Sequence, residues 1–358
     1  MAASIDKRLQ QLRVRRDGSV RTLLTTPTPE TWESRGRSNQ PFTRYAIGAM
    51  QAVSADYTRV SIETADRIAN QLSKANLNVE FRLQGSVPLD AHIKGISDVD
   101  LLALEKGFLT YHTAGTKAKR GYYKYPAPRT SVEALLNLRR QIEPALKAAF
   151  PAATVDTKGS KAVKISGGSL ARSVDVVPSH WLDTVSYQDS DEEIDRGVHI
   201  LDLKKVATVE NHPFLHIALI KYRCDQVSGG LRKAIRLCKN VKADSDTTIT
   251  LPSFDISAVM YYAKMEALKV GRLFELSILT ETQRHLDNLA CNHDFARSLL
   301  VPDGSRKIFD TNEKLHGLNE LSKEMDELLK SVYAENTVNQ LAPATLNDMR
   351  DVVCFLTA

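Results

Sequence analysis

The residues best suited to chemistry lie between Gln84 and Leu104, where two aspartates, Asp98 and Asp100, stand two positions apart. Valine and leucine residues around them predict a strand. Side chains two apart on a strand point to the same face, which would place the two carboxylates side by side. Neighbouring carboxylates repel each other, and a hard cation such as Mg²⁺, bound by carboxylate and phosphate oxygens together, removes that cost.

A glycine-serine turn precedes the two aspartates. Residues 79–83 alternate between apolar and polar side chains, which predicts a half-buried strand ending near Gln84. Gly85 allows the backbone to approach an anion, and Ser86 offers a hydroxyl and an N–H group to it. A phosphate-binding turn beside a metal-binding pair of acids indicates nucleotide chemistry.

A third acid, Asp175, lies in an apolar run that begins at Arg172 and that Pro178 is expected to end. A charge in such a run is expensive to bury unless it is paired or bound to metal. We therefore predict that Asp98, Asp100 and Asp175 share one sheet face and bind metal. In the structural alternative, Asp98 caps a turn and Asp175 forms a salt bridge with an arginine such as Arg172.

The order of these features resembles a known superfamily. The Gly-Ser turn, eleven further residues, Asp-Val-Asp and a distant apolar-Asp-apolar strand resemble the polymerase-beta-type nucleotidyltransferases. More narrowly, GSVPLDAHIKGISDVDL and SVDVVP are similar to the cyclic GMP-AMP synthase/dinucleotide cyclase-like nucleotidyltransferases, the CD-NTase family. The likeness extends over residues 45–270. The chain departs from it at Asp90 and Ala91, where many relatives have Gly-Thr and thus a hydroxyl.

The resemblance implies a bilobed α+β fold with a mixed-sheet catalytic core, a long N-terminal spine helix and a C-terminal helical lobe, with nucleotides bound between the lobes. It implies two Mg²⁺ ions, for which Mn²⁺ could substitute. Asp98 and Asp100 would bridge both ions, and Asp175 would bind the ion near the acceptor. A ribose hydroxyl would attack the α-phosphorus and release pyrophosphate. The product would be a cyclic di- or trinucleotide messenger of bacterial anti-phage (CBASS-type) signalling.

The resemblance also implies contacts to the nucleotide. The helix predicted over residues 231–242 carries a basic stripe beside its apolar stripe, and Arg236 and Lys239 match the family's phosphate-contacting helix. Ser253 stands where relatives have a nucleotide-contacting serine, and it would equally serve as a helix N-cap. The predicted nucleotide-binding residues are Gln84, Gly85, Ser86, Arg236, Lys239 and Ser253.

The composition fits a folded protein that handles anionic nucleotides. The chain has 358 residues, of which 42% are hydrophobic and 25% charged, and a formal net charge of +5. Without an apolar run of spanning length or a signal core, we expect a cytoplasmic protein with no membrane contact. Four widely spaced cysteines indicate a reduced compartment and no zinc ribbon.

We divide the chain into a basic N-terminal arm (1–40), a nucleotidyltransferase core (41–210) and a helical nucleotide-binding lobe (211–358). Pro41 begins the predicted spine, a single long helix whose apolar residues recur at helical spacing as far as Leu72. The expected partners are NTPs (ATP, GTP or others) and a regulatory protein, whereas nucleic acid is not required.

Three other functions stay open. Cations of the arm and the basic, aromatic insert at residues 117–125 could grip nucleic acid, as in a nucleic-acid-activated synthase of linear oligonucleotides. For both segments a solvated surface is the favoured interpretation. The same fold could transfer a nucleotide to an antibiotic or an RNA end, or it could be an inactive nucleotide-binding regulator, which three intact acids disfavour. The cations of the arm are Lys7, Arg8, Arg13, Arg15 and Arg16.

Overall fold

The chain forms an α+β structure, as predicted. It is a computed structural model that describes residues 4–17, 39–269, 274–337 and 344–357. The rest of the predicted arm, residues 18–38, lies outside the described residues. Within the described ranges, none of the helices has an apolar stretch long enough to cross a membrane.

Two compact units are assembled from segments that are distant along the chain. Unit 1 comprises Met1–Val53, Asp90–Ile96 and Leu219–Ala358, and unit 2 comprises Ser54–Leu89 and Ser97–Ala218. Our functional division of the chain stays a prediction.

The described helices are, in order, α1 (Ile5–Asp17), α2 (Pro41–Met50), α3 (Ala55–Lys74), α4 (Thr116–Lys119), α5 (Ser131–Ala149), α6 (Val185–Ser190), α7 (Pro213–Gln226), α8 (Gly230–Asp244), α9 (Ser253–Tyr261), α10 (Met265–Leu268), α11 (Leu276–Cys291), α12 (His293–Ser298), α13 (Asn312–Asn336) and α14 (Leu346–Val353).

A mixed sheet forms the centre of unit 2, and it has seven strands in the described part of the chain. The strands are β1 (Val79–Gln84), β2 (Val99–Tyr111), β3 (Thr154–Asp156), β4 (Val163–Ser166), β5 (Val174–Asp183), β6 (Gly197–Asp202) and β7 (Ala207–Asn211). The main order is β1-β2-β5-β4-β3, and β6 joins β5 and carries β7. The pair β2 and β5 runs parallel, so both strands begin at the same edge of the sheet.

One face of this sheet is apolar and packs on α3 and α5. Val99 of β2 and Val174 of β5 are buried in that core. The next residue of each strand, Asp100 and Asp175, therefore points to the opposite face. A capping box begins α5, in which the Thr130 side chain accepts from the Glu133 N–H while the Glu133 side chain accepts from the backbone N–H of Thr130.

The predicted spine is two helices, so the prediction of a single long helix is wrong. Helix α2 ends at Met50 because Gln51 adopts an extended backbone. Ser54 is extended as well, and its hydroxyl caps α3 by accepting the N–H of Tyr57 at 3.2 Å. The apolar periodicity continues across this break, whereas the helical hydrogen bonding does not. The two helices belong to different units.

The strand that carries Asp175 is longer than predicted. It does not end at Pro178 but continues to Asp183. On one edge of β5, β4 pairs as far as Val176 and β6 pairs from Ser179. Pro178 therefore falls where that edge changes its partner, a break in the ladder of the kind at which strands tolerate proline. Strands β6 and β7 were not predicted.

Two cations of the arm, Arg8 and Arg15, contact acids of unit 1. Arg15 of α1 donates to Asp244 of α8 at 2.6 Å, and Asp244 also accepts the hydroxyl of Tyr45 at 2.7 Å. Arg8 forms an ion pair with Glu324 of α13 at 2.5 Å. These contacts hold α1 against the helices of its own unit.

Candidate active site

A row of polar side chains crosses the sheet face opposite α3 and α5. Gln84 of β1 is the register partner of Asp100 of β2, which is the partner of Asp175 of β5, which in turn is the partner of Lys164 of β4. Register partners on adjacent strands point to the same face, about 5 Å apart. An amide, two carboxylates and an ammonium group therefore lie side by side near the edge where β2 and β5 begin.

Asp98 joins this row from the residue just before β2. Its Oδ2 forms an ion pair with Lys164 Nζ, and its Oδ1 accepts the hydroxyl of Ser173. The carbonyl of Ser173 in turn accepts the N–H of Val99 at 3.2 Å, which ties the starts of β2 and β5 together. The charge of Asp98 acts on Asp175, so the three predicted acids share one electrostatic environment.

Sequence reasoning missed Lys164 and Ser173. The sequence shows Lys164 only as a lysine between two apolar residues; in the structure Val163 and Ile165 are fully buried, which turns the lysine to the acidic face. The predicted alternative partner, Arg172, instead places its guanidinium 3.8 Å from the ring centre of Tyr57. Charge compensation at the acids thus comes from Lys164.

The site carries more negative than positive charge. Burial raises the pKa of Asp175, and the charge of Asp98 raises it further, while Lys164 lowers it. The hydrogen bond to Asp98 is the largest cause of a raised pKa at Lys164, and the charges of Asp98, Asp175 and Asp100 add to it. The three carboxylates therefore favour an additional cation.

The turn before the acids requires glycine. Gly85 has a φ of +76°, in the left-handed region, and a Cβ atom built on it would collide with Oδ2 of Asp100. The backbone of the turn thus lies directly against the carboxylate of Asp100. Gln84 and Ser86, on either side of Gly85, are half-buried.

The donor set fits hard divalent cations. Three carboxylates in excess of local positive charge are the ligands that Mg²⁺ prefers, and Asp98, Asp100 and Asp175 would hold it. As the side chains of the described ranges stand, no three His, Cys, Asp or Glu residues surround a metal-sized gap. At Asp98, the contact that a cation would make is taken by the ammonium group of Lys164.

The predicted phosphate-binding cations of α8 are buried within unit 1. Arg236 is 5% exposed and Lys239 4%. Arg236 donates to the carbonyl of Asp90 at 2.7 Å and to its Oδ2 at 3.0 Å, and Lys239 donates to the carbonyl of Ala91 at 2.8 Å. Both cations thus hold the connector between the glycine turn and Asp98, and their contact with phosphate stays a prediction.

The departure from the family pattern at Asp90 has a structural counterpart. Asp90 has a φ of +54°, a left-handed backbone that glycine adopts more readily. Aspartate tolerates this conformation better than most residues do, and the ion pair with Arg236 stabilises it further. The connector therefore keeps its turn without the glycine that many relatives have there.

Ser253 is the first residue of α9, and Pro252 is the N-cap. The predicted N-cap role of Ser253 is therefore wrong, because the extended residue that precedes the helix is the proline. The serine is exposed, and its contact with nucleotide stays a prediction.

The basic, aromatic insert at residues 117–125 lies among acids. Lys117 forms an ion pair with Asp191, and its ammonium group lies 4.7 Å from the ring centre of Tyr187. Tyr122 and Tyr125 are 67% and 93% exposed. Since an acid neutralises one of its cations, the insert offers a weaker field for nucleic acid than its sequence indicates.

The described geometry places three acids and a lysine on one sheet face of an α+β unit, with a glycine turn beside them. No family model matches the chain. It is 46% identical over 312 residues to the cyclic dinucleotide synthase CdnE of Yersinia aleksiciae, covering 86% of this chain and 81% of that protein. It is 33% identical over 238 residues to a c-di-GMP synthase of a Lachnospiraceae bacterium (strain RUG226), covering 61% and 68%.

The fold is shared with a solved relative. The STING-associated CdnE c-di-GMP synthase of Capnocytophaga granulosa matches with a TM-score of 0.74 at 27% identity, covering 93% of this chain and 99% of that one. The chain belongs to the CD-NTase family of nucleotidyltransferases. The family and the polymerase-beta-like fold inferred from the sequence motifs are thereby confirmed.

Proposed function

We propose that this chain joins two nucleoside triphosphates into a cyclic dinucleotide and releases pyrophosphate. One observation carries the proposal: Asp98, Asp100 and Asp175 lie together at the edge where two parallel strands begin. A relative that is 46% identical over 86% of the chain is named a cyclic dinucleotide synthase, which supports the same product here.

The reaction is a nucleotidyl transfer performed twice. A ribose hydroxyl of one nucleotide attacks the α-phosphorus of the other, the bond to the β-phosphate oxygen breaks, and pyrophosphate leaves. Mg²⁺, when bound, would stabilise the charge on the phosphate oxygens and lower the pKa of the attacking hydroxyl. Asp98, Asp100 and Asp175 would hold the cations, and a second transfer closes the ring.

The glycine turn is the proposed grip on the donor phosphates. Gly85 brings the backbone against Asp100, so a triphosphate held by cations at Asp100 would meet the N–H groups of this turn. Ser86 adds a hydroxyl, and Gln84 adds an amide beside the acids. The contact of Arg236, Lys239 and Ser253 with the nucleotide is kept in this proposal as the resemblance implies it.

We also propose that the product is a messenger in bacterial anti-phage signalling and that the enzyme works in the cytoplasm, with a regulatory protein as partner. The name of the Capnocytophaga granulosa synthase associates that protein with STING, which supports a signalling role here. The four cysteines are free, and Cys224 and Cys238 are buried, which fits a reducing compartment.

The test is mass spectrometry of the small product after the chain is incubated with all four NTPs and Mg²⁺. Several relatives are named c-di-GMP synthases, so GTP alone is the first single substrate to try. A phosphatase-resistant cyclic dinucleotide is expected. Asp100→Asn and Asp175→Asn should each lower its formation by at least about a hundredfold, because each removes a cation ligand.

The matched control is Asp156→Asn, which changes an exposed acid of the neighbouring strand β3 and should leave the rate nearly unchanged. Product that appears only with added nucleic acid would indicate a nucleic-acid-activated synthase. Product that appears only with an antibiotic or RNA acceptor would indicate the other transferase class. Full activity of Asp100→Asn would exclude the proposed site.

A further inference from the structure

Lys164 lies beside the acids because of its register. On β4 it is the direct partner of Asp175, and Val163 and Ile165 on either side of it are fully buried on the other face. Its side chain is 43% exposed, so it has room to move. The lysine is thus placed at the carboxylates by the strand pairing and not by chance contact of a long side chain.

Lys164 pairs with the half-buried Asp98, although the exposed Asp156 is also within reach as a register partner. On β3, Asp156 is its other register partner and is exposed, and Oδ1 of Asp156 accepts the N–H of Lys158 at 2.9 Å. The ammonium group instead pairs with Asp98 and feels the charges of Asp175 and Asp100 as well. Like-charge repulsion among the three carboxylates is what this contact relieves.

We propose that Lys164 is a built-in counterion that competes with divalent cations for Asp98. The inference rests on the proposed metal-dependent function and names a residue that regulates metal occupancy at the same site. In the absence of nucleotide, the ammonium group neutralises Asp98 and keeps the three acids together. A cation that binds there must displace it.

This competition makes metal binding depend on the substrate. An ion that binds to Asp98 must break the ion pair with Lys164, and the free energy of that pair is subtracted from the binding free energy of the ion. Divalent ions therefore bind weakly to the protein alone. A triphosphate supplies additional oxygen ligands to the ion, so the ion binds more tightly and displaces Lys164 more readily. The displaced ammonium group remains next to the acids, on the same sheet face.

The test measures Mn²⁺ binding to the full chain without nucleotide, by the electron paramagnetic resonance signal of free Mn²⁺. Lys164→Met removes the competitor, and we expect about fivefold tighter binding, the value of a partly exposed ion pair. Lys161→Met, at an exposed lysine just before β4, is the matched control and should bind as the original chain does. Asp98→Asn should weaken Mn²⁺ binding. In the double variant with Asp98→Asn, Lys164→Met should change the affinity for Mn²⁺ little, because the lysine no longer has its acid partner.

A second measurement follows the thermal unfolding midpoint in EDTA and in Mn²⁺. Without its counterion, the Lys164→Met variant should unfold at a lower temperature than the original chain in EDTA. Addition of Mn²⁺ should raise its unfolding midpoint by more than it raises that of the original chain. Lys164→Gln gives a second neutral variant if Lys164→Met does not fold.

The outcomes separate this inference from the proposed function. If the chain binds Mn²⁺ through Asp98 but Lys164→Met binds it no more tightly, or more weakly, the counterion role is refuted and the metal site stands. If neither the original chain nor any variant binds Mn²⁺, the metal site and the counterion role both fail.

Discussion

Gly85 illustrates how one missing side chain can set the geometry of a site. Two independent conditions apply to it: its φ of +76° strains any other residue, and the space that a Cβ would need is filled by Oδ2 of Asp100. The second condition is particular to this turn. Gly167 has the same φ of +76°, but no atom outside its chain neighbours lies within 4 Å of the position that a methyl group would take there. An alanine at Gly167 therefore meets backbone strain alone, whereas an alanine at Gly85 meets both strain and a collision.

We expect Gly85→Ala to lower product formation by about a hundredfold, because the methyl group displaces the Asp100 carboxylate from its cation. Gly167→Ala should cost similar stability, about 1 kcal/mol from the left-handed backbone, with activity retained. Steady-state rates of pyrophosphate release and thermal unfolding of both variants check this. Equal activity of the two alanine variants would contradict the close approach of the turn to Asp100.

The acids themselves could be predicted from the sequence, whereas their counterion could not. Asp98, Asp100 and Asp175 stand in apolar segments, where a charged residue is conspicuous. Lys164 stands in a short strand whose partner is known only once the sheet order is known. A lysine between two apolar residues is otherwise typical of any half-exposed strand.

At the level of the elements, α8 carries the clearest difference between pattern and structure. Its apolar and basic stripes were read correctly, and the helix covers the predicted residues. The pattern cannot distinguish a cation that reaches solvent from one that is buried against a carbonyl group. Arg236 and Lys239 are of the second kind, because the connector at Asp90 packs over them within the same unit.

We expect Arg236→Met to destabilise the chain by about 2 kcal/mol, since it leaves the carbonyl and carboxylate of Asp90 without this donor. Arg59→Met, at an arginine of α3 that is 59% exposed and pairs with the exposed Glu63, should leave the stability nearly unchanged. Urea unfolding measures both changes. A variant of Arg236 that keeps its stability but raises the KM for nucleotide would instead support the predicted contact with phosphate.

Other elements departed from the sequence pattern for reasons of pairing. Gln51 and Ser54 interrupt the spine, and the Ser54 hydroxyl caps a new helix there, although the apolar spacing continues across the break. Pro178 does not end β5, because the neighbouring strand changes at that point. The first outcome depends on a local cap to Tyr57, which apolar periodicity does not reveal, and the second depends on strand partners that are distant in the sequence.

For the molecule as a whole, two histidines of the sheet, His180, which is buried, and His199, which is half-buried, link stability to pH. His180 is fully buried, and its Nδ1–H donates to the carbonyl of Trp181 at 3.0 Å while Nε2 accepts the hydroxyl of Ser131 at 2.5 Å. The neutral ring satisfies both contacts. Burial lowers the pKa of His180 to about 4, and burial also lowers the pKa of His199, whose ring centre lies 5.2 Å away.

Because the folded pKa of His180 lies below the value of about 6.5 expected for an unfolded chain, the unfolded state binds more protons between these two pH values. The contribution of His180 to the free energy of unfolding is therefore fully present above about pH 6.5, and it falls as the pH drops toward 4. For His180 alone the loss at pH 5 is about 2 kcal/mol. Urea unfolding followed by tryptophan fluorescence at pH 7.5 and pH 5 measures it.

The substitution His180→Gln isolates this contribution. It should lower stability at pH 7.5, because glutamine does not fill the ring's place, yet it should reduce the difference between pH 7.5 and pH 5 by about 2 kcal/mol. Carboxylates that titrate in the same range contribute equally to both proteins and cancel. His316→Gln, at a side chain that is 66% exposed, is the control and should leave the difference unchanged. If His180→Gln keeps the full pH difference, protonation of this ring does not drive the loss of stability in acid.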